Sequence, residues 1–148
     1  MKLVTKRRWM AMAPALLALA GLASGCVSPA APAKPPGGGT RLLLSFDAFK
    51  ATVSPVLERR GCDAGGDCHG GGIRGTLQLS PLGAKDLQYD YDQVVLQVYP
   101  TRLDSSEILR RPLALDAGGT PHPFKPFAAT TDSDYVAIRA WIHAGVPQ

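Results

Sequence analysis

Cys62-Asp63-Ala64-Gly65-Gly66-Asp67-Cys68-His69 is the stretch on which the reading of this chain turns. Two thiols lie six positions apart, and an imidazole follows the second directly. Paired thiols can close a cystine, and thiolate with imidazole can ligate a soft or borderline metal. Ala64-Gly65-Gly66 lets the spacer bulge. Upstream, Ser45 is placed to cap a helix running to about Arg60, with Phe46, Phe49, Val53, Val56 and Leu57 on one face. Pro55 falls inside that pattern and is expected to kink the last turn or end the regular helix early. Gly61 breaks the helix, and the cysteines come at once.

Downstream, Gly70, Gly71, Gly72 and Gly75 keep the chain open. Thr76-Leu77-Gln78-Leu79 alternates as a short strand or an extended pass across a core. Tyr91 to Tyr99 reads as a short helix ended by Pro100. Ser105 or Ser106 starts another, with Ile108 and Leu109 inward and a stop near Pro112. Leu113 to Thr131 is a loop rich in Gly and Pro. Asp132 or Ser133 caps a last helix through Ala144, with Tyr135, Ile138, Trp141 and Ile142 apolar, and Gly145 closes it. The expected class is mostly α, a small helical domain with long Gly/Pro-rich loops.

The first 25 residues read as an address. Lys2, Lys6, Arg7 and Arg8 precede an apolar run from Met10 to Leu22, too short for a comfortable membrane span. Small residues then lead to Cys26, which resembles a bacterial lipoprotein signal and implies cleavage before Cys26 and its lipidation. Residues 26–40 form a Pro- and Gly-rich tether, and residues 41–148 one domain. Val27, rather than Asp, follows Cys26. By resemblance to other lipoproteins this implies an envelope location, anchored in the outer membrane and facing the periplasm. Losing four of the 16 basic residues leaves 12, equal to the 12 acidic ones. No basic patch then supports a nucleic-acid partner.

Two cysteines followed at once by a histidine approach a c-type haem attachment site, with five residues between the cysteines where the usual site has two. Val53-Ser54-Pro55-Val56-Leu57, Cys68-His69-Gly70, Leu77-Gln78-Leu79-Ser80, Ser105 to Pro112 followed by His122, and Tyr135 to Pro147 together resemble the planctomycete-type cytochrome c domain, of class I cytochrome c layout. The likeness covers roughly Phe46 to Pro147. It implies a covalent haem c on Cys62 and Cys68, with His69 as the proximal iron ligand. It implies electron transfer among redox proteins of the envelope, with no catalysis. Pro123-Phe124 stands where the family has glycines. All three methionines, Met1, Met10 and Met12, lie in the signal, so His122 and His143 are the candidates for a sixth ligand. His122, in a Pro-bounded loop, matches the family's loop histidine.

Two other readings stay open. Cys62 and Cys68 as a cystine give a haem-free, disulfide-stapled structural or interaction lipoprotein. Cys62, Cys68, His69 and His122 as ligands give a zinc or copper site. Tyr89-Asp90-Tyr91-Asp92 is expected to be a solvated helix start, and Arg110-Arg111 a solvated helix end or a contact for haem propionates. Phe124 and Phe127 either wall a pocket or anchor the long loop, and Trp141 is core. No Ser-His-Asp or paired-carboxylate arrangement points to hydrolysis.

Overall fold

The computed structural model describes residues 40–66, 68–71 and 75–148. The signal, Cys26 and nearly all of the tether lie outside these residues. The first strand, β1 (Leu42–Leu43), is followed by α1 (Phe46–Ala48), a π-turn (Phe49–Val53) and α2 (Ser54–Arg59). After the cysteine segment come α3 (Leu87–Val95), a 3-10 turn (Leu103–Ser105), α4 (Glu107–Arg110), α5 (Ser133–His143) and β2 (Val146–Pro147). The fold is small and mostly helical. No helix among the described residues is long and apolar enough to cross a membrane.

Ser45 caps α1 as expected, its side chain accepting from the Ala48 amide at 3.1 Å. Pro55 neither ends the helix nor confines itself to its last turn. It has no N–H to give to a carbonyl four residues back, and its ring crowds that carbonyl. The chain widens by one residue ahead of it, and the Ser54 amide donates to Phe49 O. Pro55 then sits in the first turn of α2, where a missing donor costs little. Gly61, in the left-handed region at φ 69°, closes α2. The Gly61 amide donates to Glu58 O (2.9 Å) and the Cys62 amide to Leu57 O (2.8 Å). That paired closure is a Schellman motif, and it delivers Cys62 directly off the helix end.

The middle helix begins at Leu87 rather than Tyr91, because Asp86 caps it through the Tyr89 amide (3.0 Å). It ends at Val95, Leu96 and Gln97 continue as a turn, and Val98 and Tyr99 are irregular. Thr76 to Leu79 is an extended pass rather than a strand, joined to Gly70 by one parallel bridge at Leu79. Ser106 stands at the N-cap of α4 but spends its hydroxyl on the Tyr99 amide (3.0 Å). Asp132 caps α5 through the Asp134 amide, and Tyr135, Ile138, Trp141 and Ile142 are buried as expected.

The first and last helical stretches pack together through Phe49, Val53, Ile138, Trp141 and Ile142. Phe46, Phe49, Tyr91 and Trp141 form one aromatic cluster with centroid separations of 5.2 to 6.4 Å. Their polar tips are satisfied by backbone: Tyr91 donates to Leu44 O (2.7 Å) and Trp141 Nε1 to Ser45 O (2.9 Å). Arg60 ties α2 to the start of α5. It donates to Asp134 (2.6 Å), to both oxygens of Asp132 (2.8 and 2.9 Å) and to Pro126 O (2.8 Å). Antiparallel β1 and β2 join the two ends of the domain, with Leu42 opposite Pro147 and Leu43 opposite Val146.

Asp90 departs from the solvated helix start expected of its segment. It is 1 % exposed and accepts from the Ser80 amide (2.6 Å), the Ser80 hydroxyl (2.9 Å) and Lys85 Nζ (2.6 Å). Lys85 also reaches Asp63 Oδ2 (3.1 Å), itself 1 % exposed. Burial works against the Lys85 ammonium, but the two carboxylates outweigh it and raise its pKa.

Candidate functional site

A cavity of about 500 Å³ opens beside the end of α2. Leu57, Ile108, Phe127 and Ile138 supply apolar walls. Cys62, Cys68 and His69 line it from the cysteine segment, and His122, Pro123 and Phe124 from the long loop. This volume and this lining, apolar with a few polar groups, suit a cofactor-sized ligand. Every residue expected at the site except His143 therefore faces one space. His143 belongs elsewhere, with Nε2 2.8 Å from Asp104 Oδ1.

The cysteine segment is folded back on itself. The His69 amide donates to Cys62 O (2.9 Å), and the Gly70 amide to Ala64 O (3.1 Å). The Leu79 amide fastens this loop by donating to His69 O (2.9 Å). Gly70 permits the closure, since a β-carbon there would land on the Asp63 carbonyl. The long loop is built similarly. Ala114 and Phe127 join across its base (2.8 Å), and a β-carbon on Gly119 would land on the Leu113 carbonyl.

These two closures bring His69 and His122 face to face, with ring centroids 5.9 Å apart and planes inclined by 22°. His69 Nδ1 lies 2.9 Å from Leu77 O, and His122 Nδ1 lies 2.5 Å from Phe124 O. Only a protonated nitrogen makes a bond to a carbonyl, so each ring carries its hydrogen on Nδ1. His122 Nδ1 is also 3.3 Å from the Phe124 amide, a longer contact that the carbonyl outweighs. In a neutral ring so held, Nε2 is the nitrogen with the free lone pair. A ring anchored by Nδ1–H to a backbone carbonyl is the usual arrangement of a metal-binding histidine.

Cys62 and Cys68 are free thiols, both partly buried. Among the described residues no group of three or more His, Cys, Asp or Glu side chains could hold a metal ion, so the four ligands of the zinc or copper reading are not gathered into one set there. Gln97, Thr76 and Glu107 also line the cavity, and no pattern in the sequence marks them. Arg111 lines its edge too, paired with Glu107, while remaining exposed at the end of α4 as expected. The buried Nε of Arg110 has no partner among the described residues.

Burial pushes the Cys62 thiol up to about 11, with the charges of Asp63 and Cys68 adding to it. A thiol raised in the folded state supports the fold below its unfolded value, and that support is lost as pH rises through the folded value. The window here runs from 9.0 to about 11. In the thiol form of the protein, the wild type should therefore lose about 2 kcal/mol across this window relative to Cys62→Ala. Denaturant unfolding of both proteins at the two ends of the window checks this. Equal losses in the two proteins would refute it.

The fold and site thus define a small, mostly helical domain with a cavity lined by two thiols and two imidazoles. Comparison with protein-family models, curated proteins and solved structures finds no match to this chain.

Proposed function

We propose that the protein is a lipid-anchored envelope electron carrier of c-type cytochrome character. In this reading Cys62 and Cys68 hold haem through thioethers, and His69 and His122 are the axial ligands. The observation that carries it is the facing pair of imidazoles, each with Nδ1 on a backbone carbonyl, on a cavity that both thiols also line. Haem bound there would supply one-electron chemistry at its iron. Leu57, Ile108, Phe127 and Ile138 would give the group an apolar surround. Leu77 O and Phe124 O hold the two ring tautomers, and two nitrogen ligands favour a lower potential than a His/Met pair. Gly66, in the left-handed region at φ 75°, would help the long spacer turn so that both thiols reach one haem. Anchoring through Cys26 and the tether would let the domain reach redox partners of the envelope, without nucleic acid.

The test is the full chain, exported in a host that attaches haem, examined by visible spectroscopy and by a haem stain after denaturing electrophoresis. The expected result is a Soret band that stays with the denatured chain. Cys62→Ala or Cys68→Ala alone should keep one thioether, and the double variant should release its haem on denaturation. A colourless protein with no titratable thiol at Cys62 and Cys68 would overturn the proposal. It would favour the disulfide-stapled structural lipoprotein instead.

A further inference from the structure

His122 fixes its own ring only locally, through Phe124 two residues away. Its position over the cavity must come from whatever holds the loop. Three contacts do so next to the histidine. The Thr120 amide donates to Arg110 O (2.9 Å), and Arg111 Nη1 donates to Pro121 O (3.4 Å). The third is Lys125, whose Nζ donates to Arg111 O (2.9 Å) and to Thr120 O. Of the three, it is the contact whose one donor group joins two carbonyls, one at the end of α4 and one just before His122.

Nothing in this lysine's surroundings suggests a role in overall stability. Its ammonium meets two carbonyl dipoles and pairs with no carboxylate among the described residues. Burial, and then the charge of Arg111, push its pKa down.

We propose that Lys125 is the positioning residue that keeps His122 facing His69, acting through the Thr120 and Arg111 carbonyls. The inference rests on the haem reading for its spectroscopic consequence, though the ring geometry exists without haem. With the clasp cut, the loop swings and the sixth position opens to external ligands.

The full-length chain carrying haem is compared as wild type, Lys125→Met, Lys125→Arg and His122→Ala. The ferric wild type should be six-coordinate and low-spin. Lys125→Met should show high-spin, five-coordinate iron, and its ferrous form should bind carbon monoxide about 10–100-fold faster than the wild type, as loss of an outer-shell support does. The rate should approach that of His122→Ala, and Lys125→Arg, which keeps charge and donors, should restore the wild-type spectrum. A Lys125→Met protein with wild-type spectrum and carbon monoxide rate overturns the proposal. Lys125→Gln, too short to span both carbonyls, takes its place if the methionine variant does not fold.

If the wild type carries no haem, the haem reading has failed and the clasp is tested on the haem-free chain. A nuclear Overhauser contact between the His69 and His122 rings should then be present in the wild type and in Lys125→Arg. It should be lost in Lys125→Met, and its persistence there overturns the proposal.

Discussion

Gly70→Ala is expected to destabilise the domain by at least ~3 kcal/mol, near the upper end of single substitutions. The new β-carbon would fall on the Asp63 carbonyl and crowd Ala64 O. Both obstacles are backbone, which cannot rotate aside as a side chain could. Relief requires opening the loop that the His69–Cys62 and Gly70–Ala64 hydrogen bonds close. His69 would be carried away from His122, so the substitution should damage the site as well as the fold. Gly65→Ala is the control, because its β-carbon would meet only Gly70 O, at 3.9 Å. That change should stay within ~0.5 kcal/mol. Chemical denaturation of the two variants decides it: similar midpoints would show that the loop relaxes freely and that the closure is not tight.

Asp90→Ala should cost about 3–5 kcal/mol, the usual effect of removing one partner from a buried ion pair. The carboxylate accepts from the Ser80 amide and hydroxyl while facing Lys85, and alanine leaves all three without it. Lys85 would keep Asp63, so the ammonium is not wholly stranded, but its second carboxylate is gone. Against a typical total of about 5–15 kcal/mol, such a loss leaves a marginal protein. Asp90→Asn keeps the shape and one acceptor for the Ser80 amide, and should recover part of the loss. Thermal melting of the two variants tests this. A melting point for Asp90→Ala equal to that of the wild type would mean that water reaches this cluster and screens it.

Much of this architecture was legible in the sequence, and the omissions share a cause. The last helix was readable because Asp132 caps it and Tyr135, Ile138, Trp141 and Ile142 repeat at helical spacing. Gly61 marked the end of the first helix for an equally local reason. Local rules also identified Cys62, Cys68, His69 and His122 as a candidate set. They did not reach what depends on distant partners. Asp90 looks like any acid near a helix start until Ser80 and Lys85 close over it. Pro55 reads as a breaker because a one-residue widening of the preceding turn leaves no periodic trace. The strands β1 and β2 are two residues each, too short for alternation to register. The facing of His69 and His122 depends on two loop closures, and their glycines carry no label of what they approach.

The β1–β2 pair also has a topological consequence. The Arg41 amide donates to Gln148 O (3.2 Å), and the Gln148 amide donates back to Arg41 O (2.8 Å). The domain is in effect a ring whose seam is this pair of bonds. Bringing such distant ends together costs closure entropy that grows only with the logarithm of the loop length, yet the contact has high order and should form late and open early. Since the seam already lies shut, a peptide joining Gln148 to Arg41 would span almost no gap. The ring could then be cut at an exposed turn such as Gly83. The same groups would still meet at the cavity, in a chain that starts and stops somewhere else.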